Sequence, residues 1–402
     1  MKLKHLIICG ILAATASLGA SADDNGVVDP DSTGFKFTDI TVVGTTPVKD
    51  QNKSGTCWCF SAVSFYENEI LRKYGKELDI SEMYIVRKCY EDKARKYLRM
   101  YGAINFAEGG SVLDAEYVMR NYGTLPEEIY PGINYGDEKH NHRELSKVLD
   151  AYVKAIAQKP NKKLSTAWYN GLLGILDAYL GAVPETFEYD NATYTPQSYQ
   201  ESLGLDLDDY IGITSFSHHP FYEPFILEVA DNWLWGSYYN VQMQELQEIV
   251  DNAINNGYSV VWGADVSETG FKWRKGYALM PKAKEEKDFE GTELSKWVQV
   301  SDSEREKMKY EINGPVEEIE VTQESRQDMF EYQETTDDHG MVIVGIAEDQ
   351  EGNRYYKVKN SWDTNQLYGG YFYVSMPYFL AKTMSIYLNR EGVPAGILSK
   401  LK

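Results

Sequence analysis

The placing of apolar residues divides the chain into a helical first part and a strand-rich second part. Val63, Tyr66, Ile70, Leu71 and Tyr74 recur at a mostly helical spacing, so residues 60–74 are expected to form a helix that Gly75 stops. Cys57 stands at the first position of that helix, after the small-residue turn Ser54-Gly55-Thr56. A second helical pattern covers 81–101 and closes at Gly102. A third begins where Ser111 and Asp114 are spaced as a helix cap and its reciprocal carboxylate, and it stops at Gly123. Leu145, Val148, Leu149, Tyr152, Val153 and Ile156 share one helical face. Further helices are expected over 166–180 and from Met243 to the stop at Asn256-Gly257, with a tyrosine- and aspartate-rich loop region at 181–235 between them.

The texture changes at Tyr258. Residues 259–262 and 341–344 are short apolar runs that suit buried strands, with further strands at 354–359 and 371–375 and an early one over 37–43. The intervening 282–311 is highly charged and reads as an insertion or flexible flap. Helices first and a mainly antiparallel sheet afterwards is the α+β pattern. The expected divisions are a signal segment at 1–22, a helical region at 23–140, a helical insertion at 141–257 and a β-rich region at 258–402.

Composition narrows the classes. The 402 residues, 43% of them hydrophobic, can bury a sizeable core, and a net charge of −21 leaves no basic surplus for nucleic acid. Lys2 and Lys4 precede an apolar run from Leu6 to Ala16, and Ala20-Ser21-Ala22 forms a cleavage site before Asp23. That run is too short to span a membrane, so it implies export to the periplasm or beyond, and its removal takes the charge from −21 to −23. Three cysteines remain, Cys57, Cys59 and Cys89. The first two face different ways on one helix, only a Cys59–Cys89 bridge is conceivable, and no disulfide framework is expected.

Chemistry centres on Cys57. The amides of a helix's first turn lack acceptors and the dipole is positive there, which favours thiolate over thiol. Of six histidines, His5 leaves with the signal, His140 and His142 lie at a polar helix start, and His218-His219 lack ligand spacing with Cys, Asp or Glu, so no metal is implied. His339 opens an apolar strand after Thr335-Thr336-Asp337-Asp338, and Asn360 ends the next strand, 21 residues on. Adjacent antiparallel strands can set the two side by side, the asparagine oxygen accepting one imidazole N–H while the other nitrogen addresses Cys57. Trp362 can shield that bond, and the Gln51 amide can join the Cys57 N–H in binding an oxyanion. Singly, these are a core histidine, a strand-end asparagine and a loop glutamine. Gly109-Gly110 is either a turn or a place where a substrate backbone comes close.

Taken in chain order, Gln51…Gly55-Thr56-Cys57-Trp58, His339-Gly340 and Asn360-Ser361-Trp362 resemble the papain-like cysteine peptidases. The resemblance implies a two-lobed fold, helical and β-sheet, with peptide substrates and no cofactor. It makes Cys57 the nucleophile, His339 the base and acid, Asn360 the orienter and Gln51 the oxyanion donor. Gly109, Gly110 and Trp362 would line the substrate site. Ser54 replaces a signature cysteine, Cys57 and His339 lie 282 residues apart, and Pro47 follows the signal by only 25 positions. The separation in papain itself is roughly 130–150. These features are similar to the bleomycin hydrolase and aminopeptidase C branch. So are Gly123-Thr124-Leu125-Pro126, Pro184-Glu185-Thr186-Phe187 and Val261-Trp262-Gly263-Ala264-Asp265. That branch implies aminopeptidase action and a homohexamer. Its members carry a C-terminal arm that holds the substrate amino terminus. The arm is expected to be short or missing here, which leaves endopeptidase or dipeptidyl cleavage in an open cleft as the alternative. An inactive peptide-binding relative is the reading of another class.

Overall fold

The computed structural model describes residues 33–159 and 162–402, and the expected signal segment lies outside them. The helix Cys57–Tyr74 runs through the middle of the molecule, buried from Trp58 to Ile70. Gly75 ends it in the left-handed conformation and returns its N–H to Leu71. Two more helices, Glu82–Arg99 and Val112–Tyr122, pack beside it, each started by the expected serine. Ser81 accepts the Tyr84 N–H, and Ser111 with Asp114 forms the capping box. Arg143–Ala157 and Ala167–Leu180 add Leu145, Leu149, Val153, Leu172, Leu176 and Leu180 to the same helical core.

A second core belongs to the sheet, which has eleven strands among the described residues. Its axis is His339–Glu348, paired antiparallel with Val260–Ala264 on one side and Arg354–Lys359 on the other. Thr38–Val42 also pairs with that strand. Beyond Val260–Ala264 come Thr383–Asn389 and Tyr210–Thr214, both antiparallel to their neighbours. Two short pairings are parallel. The helix Met243–Asn255 covers this sheet with Leu246, Ile249, Val250, Ala253 and Ile254. The architecture is α+β, a helical half against a mainly antiparallel sheet.

Three local expectations change. The region 181–235 is not loop throughout: Tyr210–Thr214 and Pro224–Ile226 are strands, so 141–257 supplies sheet as well as helix. Tyr210–Thr214 is buried on both faces and therefore shows no alternation to read. The charged 282–311 stretch folds into the helices Gly291–Gln299 and Asp302–Lys309, which hold Phe289, Trp297 and Met308 between them. A few apolar residues at helical spacing and a Ser301–Glu304 capping box suffice there. Finally, His142 does cap the start of the helix Arg143–Ala157, but it and His140 are buried there instead of facing solvent.

A buried ionic cluster joins the two halves. The Lys49 ammonium lies 2.8 Å from Glu67, 2.7 Å from Asp79 and 2.8 Å from Glu82. Lys359 donates nearby to Thr46 and Ser64. Lys49 is held well above its usual value despite burial, because Glu82, Glu67 and Asp79 surround it. Glu82 nevertheless moves the other way from a stabilised acid, up to about 7, through desolvation and the like charge of Glu67. Three carboxylates share one ammonium, and Glu82 carries the imbalance. Replacing Lys49 by Met should therefore cost about 3–5 kcal/mol, since it strands buried carboxylates. Urea unfolding checks this: a midpoint unchanged from wild type would refute it.

His142 yields a second expectation. Neither ring nitrogen has a hydrogen-bond partner among the described residues. Glu108 lies 3.8 Å from Nδ1, but desolvation dominates both groups, raising the Glu108 carboxyl and lowering His142 to about 3. The folded protein thus resists a proton that the unfolded chain accepts near 6.5. Stability from this group is complete above that value and declines as pH falls toward about 3. His142→Leu should flatten the loss of melting temperature between roughly pH 6 and pH 4. An identical slope in wild type and variant would show that His142 is not the group concerned.

Candidate active site

The cleft residues are brought together by one contact between helix and sheet. A Cβ on Gly340 would lie 2.7 Å from Ser61 Oγ, 3.2 Å from Trp58 Cα and 3.4 Å from the Cys57 carbonyl oxygen. Only glycine lets the start of the strand touch the first turn of the helix. The backbone N–H groups of Gly340 and Trp58 consequently reach the Cys57 sulfur.

His339, beside that glycine, is buried, and its Nε2 lies 2.8 Å from Asn360 Oδ1. An asparagine oxygen can only accept, so Nε2 carries the proton and Nδ1 keeps a free lone pair. Trp362 stacks on the imidazole with ring centroids 4.5 Å apart and planes 29° apart. It thus shields the histidine, and it packs edge-on to Phe271 and Trp273.

Gln51 is fixed from the same segment. Its N–H donates to the Ser361 carbonyl at 2.9 Å, and its Oε1 accepts the Ser361 hydroxyl at 2.7 Å. The amide nitrogen donates to the Ser54 carbonyl at 2.8 Å, which leaves its second N–H for a ligand. Behind these residues, Lys49, Ser64, Lys359 and Asn360 line a cavity of about 10 Å³, scarcely room for one water.

Electrostatics differ from the helix-terminus expectation. Desolvation pushes the Cys57 thiol up to about 12, helped by Asp337 and Asp231 and opposed by the Gly340 and Trp58 amides. Cys57 keeps some accessible surface, as befits a group on a cleft floor, yet its sulfur is walled in. Burial likewise lowers His339 to about 4, with the Asn360 bond opposing. Burial penalises each of these charges borne alone. A proton passing from Cys57 to His339 makes two opposite charges at once, and their attraction offsets the desolvation each would meet singly.

Gly109-Gly110 is not an open rail. A Cβ on Gly110 would come 2.5 Å from Asp114 Oδ2 and 2.9 Å from the Trp58 ring, and one on Gly109 would fall 1.8 Å from Asp231 Oδ2. Sequence reasoning missed Asp231, which arrives from a distant hairpin loop without a motif, and Glu108, which accepts the Gly55 N–H and holds Trp58 Nε1 through its carbonyl. Ser361 was legible within Asn-Ser-Trp but had been given no task. Cys59 is a fully buried free thiol that donates to the Glu82 carbonyl. His218 and His219 do gain a carboxylate, Glu228, at 3.1 and 2.8 Å. These three are close enough to share a cation, and hydrogen bonds already join them.

No helix among the described residues is long and apolar enough to cross a membrane. Aminopeptidase C of Lactococcus lactis subsp. cremoris is 22% identical over 392 residues, spanning 86% of this chain and 81% of that protein. Aminopeptidase W of Lactobacillus delbrueckii subsp. lactis is 23% identical over 402 residues, spanning 89% and 84%. The crystal structure of PepW from Lactobacillus rhamnosis HN001 shares the fold, with a TM-score of 0.65 at 19% identity over 90% of this chain and 84% of that one. Residues 85–402, which include His339 and Asn360 but begin after Cys57, match the Peptidase C1-like family. With most of its length so matched, the chain belongs to the Peptidase C1-like family.

Proposed function

We propose that the protein is an exported thiol aminopeptidase in which Cys57, His339, Asn360 and Gln51 carry out the reaction. The observation that carries this reading is the 2.8 Å bond from His339 Nε2 to Asn360, which leaves Nδ1 free beside the sulfur-bearing turn. Nδ1 takes the thiol proton as Cys57 sulfur attacks the peptide carbonyl, and the amide N–H of Gln51 with the first-turn backbone N–H groups receives the oxyanion. His339 then gives its proton to the departing amine, leaving a thioester. Water, deprotonated by the same ring, attacks the thioester, and the thiol regains its proton as the acid leaves. Residues 1–22 direct export in this reading, and the family resemblance supports a homohexamer. The names of the relatives support removal of residues from the amino terminus.

An irreversible thiol-directed peptidase inhibitor should label Cys57 alone among the three cysteines, and Cys57→Ala should abolish both label and turnover. Gln51→Ala should lower kcat by about 10²–10³-fold with the inhibitor site intact, and His339→Ala by at least about 10². Turnover that survives Cys57→Ala would end the proposal. Product analysis on a peptide library decides the cleavage mode: stepwise loss of the first residue supports aminopeptidase action, and internal fragments as first products exclude it. Mass analysis of exported protein should find Asp23 at its amino terminus.

A further inference from the structure

The hairpin loop over residues 227–236 joins the antiparallel strands Pro224–Ile226 and Ser237–Asn240. It is held rigidly at three points. The buried Asn232 spans it, donating to the Leu227 and Gly236 carbonyls at 2.9 Å each and accepting the Gly236 N–H at 2.8 Å. Trp233, also buried, donates its indole N–H to Asp114 at 2.8 Å. Just before them, Asp231 reaches over to Gly109.

One Asp231 oxygen accepts from Asn105 Nδ2 at 2.8 Å. The other, Oδ2, sits over Gly109, where any side chain would collide with it. Its field reaches Cys57, as does that of Asp337, and the two acids feel each other. Neither is joined in an ion pair among the described residues. The Lys93 ammonium, whose charge Asp231 feels, makes its hydrogen bonds to the Ala107 and Gly109 carbonyls instead. Asp337 retains exposed surface, but desolvation and the neighbouring Asp231, Asp338 and Asp114 raise its carboxyl to about 7.

Two carboxylates with no direct ion pair among the described residues, beside a sulfur that must become an anion, work against the chemistry in the empty cleft. A cation placed at Asp231 removes the conflict, and a peptide with a free amino terminus brings one. We propose that Asp231, held by Asn105 over Gly109, is the receptor for the free α-ammonium group of the substrate, and that the 227–236 loop closes the acyl side of the cleft. This deepens the aminopeptidase reading and rests on it. The loop supplies the exopeptidase boundary from within the fold, and occupation of the site also eases thiolate formation at Cys57.

The test is a pentapeptide offered with a free and with an acetylated amino terminus to wild-type protein, Asp231→Asn and Asn105→Leu. Wild type should prefer the free peptide by about 100-fold in kcat/KM, and Asp231→Asn should raise KM for it by about 10- to 100-fold, as expected for one lost charge-assisted hydrogen bond. Its preference for the free over the acetylated peptide should shrink accordingly, and labelling of Cys57 by the inhibitor reports a folded variant. Asn105→Leu, which leaves the carboxylate but removes its support, should raise KM several-fold for the free peptide only. Equal cleavage of both peptides by wild type would overturn the ammonium receptor while leaving the peptidase intact. So would an undiminished preference in Asp231→Asn, or in both variants. If wild type cleaves neither peptide and its Cys57 resists the inhibitor, the peptidase reading itself falls, and the receptor with it.

Discussion

Everything at the site depends on the approach of Gly340 to the first turn of the Cys57–Tyr74 helix. The strand can reach the helix backbone only because position 340 has no Cβ, with Ser61 Oγ and Trp58 Cα already in that space. The contact sets the register of His339 against Ala264 on one side, and the next strand brings Asn360 beside His339 on the other. A larger residue at 340 would part the helical core from the sheet core at the point where the reacting groups meet. Packing and chemistry are one constraint there.

The same close packing makes charge expensive. Cys57 and His339 are each driven toward their neutral forms by desolvation; the Gly340 and Trp58 amides lessen that drive at Cys57, and the Asn360 bond lessens it at His339, without reversing it. Behind them, Lys49 and Lys359 lie among Glu67, Glu82 and Asp79. Lys359 itself is lowered to about 8 by burial. Single charges are costly throughout this interior, so charges are best created in pairs or admitted with a partner. Proton transfer between Cys57 and His339 in the proposed reaction would follow the first route, and a substrate ammonium at Asp231 would follow the second.

The Gly109-Gly110 strip illustrates how a familiar motif can acquire a different neighbour. Its glycines are needed for space, but the space is taken up by Trp58, Asp114 and Asp231. The last residues of the described chain contribute elsewhere, with the Lys400 and Lys402 ammonium groups paired to Glu245 and Glu223. The element seated on Gly109 is therefore a hairpin loop whose shape is set by its own asparagine and tryptophan.

Much of this protein was determined locally and could be read along the chain. Helices with serine caps, glycine stops and a one-sided apolar face declared themselves, because those signals lie within a few residues of one another. So did the four strands from 259 onward, and the ordered set Gln51, Cys57, His339 and Asn360. The strand Tyr210–Thr214 did not, since burial on both faces erases alternation, and the 282–311 helices were hidden by their charge. Sequence spacing placed His142 at its helix start but not its burial against Tyr135 and Glu108. Only the tertiary structure decided that the Cys57 thiol is desolvated, that Ser361 orients Gln51, and that Asp231 rests on Gly109. Desolvation, a shared hydrogen bond and a steric fit all depend on what distant segments bring, and no pattern of neighbours along the chain encodes them.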